Sequence, residues 1–455
     1  MTTVNTKKKR TNNLFEYIYM VIMVIYMGQM TPVTSRMVSS ISGDLIPFLL
    51  PIIATVILWL RRPVSFFNRH FWIVIALLFF WSTLVINYYD SYKKEDLSYY
   101  FFLFYSIIIA YLHVQCLGKK LLPLYENVVV IFAIISLVFW VWAVIYPTSA
   151  SFFKQFEPTR YGNNVYFIFN WMDPTKDQNY QGLLRNSGFS WEPGRYSIIL
   201  VLALLCNIAR NGVKVFNFNT IILLVAIGST LSTTGYTAAI ILYIVSFVHH
   251  VSFKKSLLFF IIFIPSIVMI SRLGFMRDKI EEQIQVETDL NQLEKSFKYN
   301  NETTDEGEYV GSLNRFSAIY FEWENMKEHP LLGYGRNPSN SYFYKNVSTN
   351  FVLTGGLVKI LSQHGVIFGI IIYFMLLFSS FAVSRDFDEL SPFALFFNFI
   401  LFSVSYSIFT TPIFTAFWFY GPFRRRAEKT DKNEQHKATV EELLKKERAN
   451  YQFTP

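Results

Sequence analysis

Long apolar runs separated by short polar stretches dominate the chain. A bilayer's hydrocarbon core takes about 20 mostly apolar residues, with a range of roughly 17 to 25. The pattern predicts spans at 14–30, 44–60, 70–87, 97–117, 123–146, 190–209, 216–231, 234–250, 256–272, 366–384, 391–408 and 410–423. That is about twelve transmembrane helices, and the expected fold is an all-α polytopic membrane protein. The last run is short. With its neighbour around Thr410-Thr411-Pro412 it makes a candidate re-entrant pair.

Basic residues in short loops orient such a bundle. Lys7-Lys8-Lys9-Arg10 precedes the first span. Counting alternately, Arg61-Arg62, Arg69, Lys119-Lys120, Arg210, Lys214, Lys254-Lys255 and Arg424-Arg425-Arg426 all fall on that same side. Both termini are then cytoplasmic. Residues 1–423 form the membrane domain and 424–455 a charged cytoplasmic tail, in which Glu441–Lys445 and Glu442–Lys446 pair at helical spacing. The opposite, extracytoplasmic face receives two large loops, about 147–189 and 273–365.

The longer loop has its own periodicity. From Phe275 to Phe297 apolar residues recur at near-helical spacing, and Asn300 to Gly311 is polar and acidic. Ser312 is a candidate N-cap for the next helix, in which Arg315, Ile319, Glu322 and Met326 share one stripe. Pro330 ends that helix. Leu353 to His364 is too short and polar to span and reads as an interfacial helix.

Composition agrees with the pattern: 52% of residues are hydrophobic and 16% charged. The net charge of +9 lies beside apolar runs, so membrane orientation explains it and nucleic acid is not an expected partner. Cys116 and Cys206 both fall inside apolar runs, which indicates no disulfide framework. The first apolar run is long and lacks a small-residue cleavage site, so no cleavable signal peptide is expected.

The candidate chemistry is arginine with one carboxylate. No Walker loop, GxSxG elbow, clustered metal ligands or DxD pair stands in the loops, so neither a metal nor another cofactor is expected. The shorter loop ends in RNSGFSWEPGRY, with Arg185, Gly188, Glu192, Pro193, Gly194 and Arg195. An ionisable residue at membrane depth costs about 2.5–3.5 kcal/mol and is a functional candidate by default. Glu192 stands at a helix start, where acid favours the dipole; alternatively it pairs with Arg195 three residues on. Arginine stays charged and grips oxyanions bidentately, which suits a diphosphate. Arg185, Arg315 and Arg336 belong to the outer face, though lipid headgroups or loop ion pairs explain each one singly as well. Gly333 and Gly335 flank Tyr334 in a turn that permits close backbone approach. His329 and His364 lie near helix ends, where a histidine titrates near neutrality.

These residues resemble a known family. An arginine on a helix, a tryptophan and then His-Pro-Leu-Leu-Gly-Tyr-Gly at 329–335 is similar to the O-antigen polymerase and O-antigen ligase superfamily. So are Arg185…Gly188…Glu192-Pro193 and the turn Leu231-Ser232-Thr233-Thr234-Gly235. The resemblance implies a GT-C-like, metal-independent, inverting glycosyltransferase of the bacterial inner membrane, with its active site facing the periplasm and short helices in its large loops. It implies glycans on undecaprenyl pyrophosphate as donor and acceptor, and a chain-length regulator as a possible partner. By the same resemblance Arg315 and Arg185 are catalytic, with Arg336 a looser match; for an inverting transfer Glu192 is the candidate base or acceptor-orienting group, or a carboxylate that positions one of the arginines. Arg336, Arg195, Gly333, Gly335, Tyr334 and His329 are then substrate-binding. The ligases carry a histidine shortly after the Gly-x-Gly turn, and Asn337 to Tyr342 holds none, which favours a polymerase.

The competing class is a transporter, such as a flippase of lipid-linked oligosaccharide. Flippases line a central cavity with charge and often show repeated halves. Here the spans are nearly free of charge and the outer loops are elaborate.

Overall fold

A computed structural model of the chain describes residues 4–28, 45–61, 67–89, 92, 94–146, 164–166, 169–172, 184–190, 192–214, 216–250, 311–313, 315–346, 351–352, 356–409 and 411–424. The expected span 256–272, the periodic segment 275–297, most of the acidic stretch after Asn300 and the tail helix lie outside the described residues.

The described residues are mostly helical. Helices α1 (Val4–Gly28), α2 (Leu45–Arg61), α3 (Arg69–Tyr89), α4 (Lys94–Leu117) and α5 (Leu121–Ile145) build the first half. Then come α6 (Pro193–Asn211), α7 (Phe218–Ser229) and α8 (Thr233–His250). In the last part, α9 (Arg315–Glu328), α10 (Tyr342–Asn346) and α11 (Gly356–His364) precede α12 (Val366–Asp386), α13 (Ala394–Ser405), α14 (Pro412–Trp418) and α15 (Tyr420–Phe423).

Among the described residues, four stretches are long and apolar enough to cross a membrane: Arg69–Tyr89, Leu97–Ile145, Pro193–Asn211 and Val366–Asp386. Leu97–Ile145 has 49 residues. As one helix it would reach roughly 74 Å, over twice the hydrocarbon core. Gly118, at φ +52°, breaks it into α4 and α5. Leu14–Gly28, Leu49–Leu60, Phe218–Ser229, Thr233–His249 and Ala394–Ser405 are shorter apolar helices.

Two kinds of apolar helix result. On α3 the buried stripe Phe71, Val74, Leu78, Trp81 and Val85 follows helical spacing, while Trp72, Ile73, Leu77, Phe79, Phe80 and Leu84 face outward. Such an exposed apolar surface suits lipid. By contrast, α6 is buried at every position from Pro193 to Ala209. It packs against α5, α7 and α8, with α13 beside it. A helix apolar all round belongs in a protein interior, so α6 is the pillar of the bundle, and its N-terminus opens onto the first long loop.

The described part of that loop holds strands. Strands β1 (Asn164–Tyr166), β2 (Phe169–Met172) and β3 (Arg185–Gly188) form an antiparallel sheet in that order, with Trp171 opposite Asn164 and Met172 opposite Arg185. Val165, Tyr166, Phe169 and Trp171 are strand-favouring β-branched and aromatic residues. In the second loop Ser312 does not cap α9. It lies in β4 (Gly311–Ser312), whose backbone pairs in parallel with β5 (Phe351–Val352), and α9 begins at Arg315.

Helix α9 docks on α10 and α11 through its buried face, Ser317, Ala318, Phe321, Glu322 and Asn325. Phe321 packs on Phe343 at 4.8 Å between ring centres. The Glu322 carboxylate accepts from Asn325 Nδ2 at 3.2 Å and from the Ser362 hydroxyl. Asn325 Oδ1 in turn accepts from the Phe343 amide at 3.0 Å. These buried polar contacts fix how α9 presents Arg315.

Candidate active site

Glu192 caps the pillar. Its backbone is extended (φ −149°, ψ 156°), Pro193 opens the helix, and the carboxylate makes no cap bond to the helix amides. The Tyr406 hydroxyl lies beside the carboxylate, since a Cβ on Gly194 would approach both that oxygen and, at 3.8 Å, Glu192 Oε1. Tyr406 follows α13, where the chain leaves the helix in extended conformation (φ −142°, ψ 144°). Gly194 makes room for this contact, because a Cβ there would lie 2.0 Å from the Tyr406 hydroxyl oxygen.

Three guanidiniums act on this carboxylate: Arg315, Arg185 and Arg195. Glu192 stands just outside the Pro193–Asn211 span. Burial pushes its carboxyl above the ordinary range, and the Tyr406 hydroxyl with the three arginines draws it part of the way back. A carboxylate raised in this way is better matched to taking a proton near neutrality.

Each arginine is held differently. Arg185, buried at the start of β3, donates from Nε to the Thr230 carbonyl at 3.2 Å. Arg315, half-buried at the first turn of α9, donates to Thr234 Oγ1. Thr234 Oγ1 also meets Ser405 Oγ at 2.8 Å, so α8, α9 and the end of α13 join at that point. Arg195 turns into the bundle, with Nε 3.3 Å from the Met27 carbonyl and Nη2 3.3 Å from Thr411 Oγ1. It ties α6 to α1 and to the start of α14.

The remaining expected site residues form a second group at the far end of α9. The helix has 14 residues, so its ends lie roughly 20 Å apart. There the turn after α9 zips onto the junction of α11 and α12. The Tyr334 amide donates to Ser362 O at 2.9 Å, Gly335 N to Gln363 O at 3.1 Å, and Val366 N to Pro330 O at 2.8 Å. Gly333 (φ +69°) and Gly335 (φ +73°) take left-handed conformations. A Cβ on Gly333 would lie 2.3 Å from the Gln363 carbonyl carbon, so the motif is a packed turn. Arg336 is exposed, its guanidinium 5.3 Å from the Tyr99 ring centre. His329 Nε2 lies 2.9 Å from the Asn340 carbonyl oxygen.

His364 differs from the expectation of titration near neutrality. It is buried, its Nε2 lies 3.1 Å from the Tyr99 hydroxyl, and its carbonyl accepts from Trp81 Nε1 at 3.0 Å. Burial, with Lys359 acting in the same sense, pushes its pKa down to about 3, so the ring is neutral at physiological pH.

The structure therefore brings Arg185, Glu192, Arg195 and Arg315 together and holds Arg336, Tyr334, Gly333, Gly335 and His329 apart from them. Sequence reasoning missed Tyr406 and Ser405 because both lie in the stretch 391–408 expected to span. The available signal was local: Ser405-Tyr406-Ser407 is a polar triplet inside an apolar run. Among the described residues, no group of three or more His, Cys, Asp or Glu is placed to hold a metal ion. The arrangement can carry a general base beside two cationic oxyanion holders.

Residues 218–374 match the family model described as O-antigen ligase. The matched stretch includes the Thr234 turn, Arg315 and the whole 329–336 turn, and it places this part of the chain in the O-antigen ligase and polymerase superfamily. The match does not separate the two branches. No curated protein and no solved structure matches the chain.

Proposed function

We propose that the protein is a polymerase of O-antigen or a related surface polysaccharide, acting in the bacterial inner membrane on undecaprenyl-pyrophosphate-linked repeat units. The observation that carries this reading is the meeting of Glu192 with Arg185 and Arg315, drawn from two loops more than a hundred residues apart. In this reading about twelve helices in a GT-C-like arrangement span the membrane, each roughly 20 residues long, and both termini are cytoplasmic. The site then faces the periplasm.

Glu192 takes the proton from the acceptor sugar's hydroxyl. The oxygen attacks the anomeric carbon of the donor glycan from the face opposite the diphosphate. The bond to undecaprenyl pyrophosphate breaks and the configuration inverts. The leaving diphosphate gains negative charge as the bond lengthens, and the Arg185 and Arg315 guanidiniums are aimed to stabilise it. Arg195 keeps the pillar's end in register. Arg336, exposed on Tyr99, contacts glycan or diphosphate farther along the outer membrane surface.

One observation favours a ligase: the matched family model is described as one. The lack of a histidine between Asn337 and Tyr342 favours a polymerase. Purified protein in liposomes decides between them. Given only lipid-linked repeat unit, a polymerase makes a ladder of lengthening glycans. A product that appears solely when lipid A core is added establishes the ligase, and Glu192→Gln abolishes either product. Translocation of the repeat unit across the bilayer with no new glycosidic bond refutes both.

A further inference from the structure

The wall of the site opposite the two arginine loops comes from the end of α13, which neither loop nor the matched family region contains. We infer that Tyr406 is a positioning residue that sets the aim and the ionisation of Glu192.

Three observations lead there. First, Tyr406 is wedged in place. A Cβ at Gly194 would lie 2.0 Å from its hydroxyl oxygen, and one at Gly356 would lie 2.4 Å from its carbonyl oxygen. Two glycines on separate helices, α6 and α11, thus leave the space that the tyrosine fills. Second, its hydroxyl oxygen and Glu192 Oε1 flank the same point, 2.0 Å and 3.8 Å from a Cβ on Gly194, and Glu192 makes no cap bond to its own helix. The phenol therefore stands where it can donate to a carboxylate more than two hundred positions away in sequence. Third, the neighbouring Ser405 reaches Thr234, which holds Arg315. The last turn of α13 thereby aligns the carboxylate and one of its arginines together.

The chemistry follows from the donor's sign. A phenol that donates to a carboxylate favours the charged form. It acts against the burial that raises the Glu192 carboxyl. No covalent step involves the phenol; the proton Glu192 takes comes from the acceptor.

This inference rests on the role proposed for Glu192, and the test separates the two. Tyr406→Phe keeps the ring in its slot and removes only the donor. Its kcat for ladder formation should fall roughly 10- to 100-fold, as a hydrogen bond to a charged group warrants, with KM for the lipid-linked repeat little changed. The acidic limb of its kcat/KM profile should move to higher pH. Replacing Tyr406 with 3-fluorotyrosine, a more acidic phenol, should move the same limb to lower pH. A purely structural tyrosine would not give opposite shifts. Unmoved limbs in both variants overturn the inference. Infrared titration of the Glu192 carboxylate, isolated by subtracting the Glu192→Gln spectrum, reads the same two shifts without any reaction. Shifts in the infrared without glycan synthesis uphold Tyr406 and sink the polymerase. Identical infrared titrations in all forms sink Tyr406 alone.

Discussion

Replacing Gly194 with alanine tests the packing of the site through a single methyl group. The added Cβ would stand 2.0 Å from the Tyr406 hydroxyl oxygen and 3.2 Å from the ring carbon that bears it. Real Cβ contacts essentially never fall below 3.0 Å, so one partner must move by about 1 Å or more. Helix α6 has no slack, since every position from Pro193 to Ala209 is buried and interiors are close-packed. The displacement falls on Tyr406, whose hydroxyl then leaves Glu192. Overpacking costs about 1–3 kcal/mol of stability, and a 1 Å misplacement at a reacting centre can cost about 100-fold in rate. We expect Gly194→Ala to insert in the membrane, lose several degrees of thermal stability in detergent, and lose about two orders of magnitude in polymer yield. A second arm uses Tyr406→Ala, which removes the obstacle. In that background Gly194→Ala should cost little further stability. A Gly194→Ala protein that makes a full ladder, or that is equally destabilised with and without Tyr406, refutes the argument.

Three other outcomes are expected. Arg315→Lys keeps the charge but loses the planar fork; it should retain under a tenth of the activity, whereas Arg315→Ala should make no polymer, and full activity from the lysine form would exclude bidentate contact with the diphosphate. Glu322→Ala strands the Ser362 and Asn325 donors between α9 and α11, so stability should drop by about 2–4 kcal/mol, read as a lower melting temperature; an unchanged melting curve would show that α9 is held by apolar contacts alone. His364 has its folded pKa depressed to about 3 against about 6.5 when unfolded; its contribution to stability is then full above about pH 6.5 and lost as pH falls towards 3, so His364→Asn should flatten the decline of melting temperature across that window, and parallel curves would contradict a buried neutral ring.

Much of the helical scaffold was legible because its signal is local. Apolar runs of spanning length mark helices wherever they occur, and Gly118 between two of them marks a break. The stripe through Arg315 and Glu322 was readable from the helical period. The strands in the first long loop were less so, since three- and four-residue segments such as Asn164–Tyr166 carry too few positions to show a period. Local reading also extended the span at 391–408 past Ser405, since hydropathy averages over a polar triplet that the backbone resolves as a helix end.

What the sequence determined by itself is the chemical inventory: apolar helices, arginines in two polar loops and a carboxylate at a helix start. These follow from residue type and from spacings of a few positions, where backbone geometry links neighbours directly. Only the tertiary structure decided which of these groups meet. It joined Arg185, Glu192, Thr234, Arg315 and Tyr406 around the end of one buried helix, and it set Arg336 at the far end of α9. Those distances depend on how helices pack across hundreds of residues, and no local period encodes that packing. The rigid length of α9 is the clearest case, because a helix that links two arginines in sequence also keeps them apart in space.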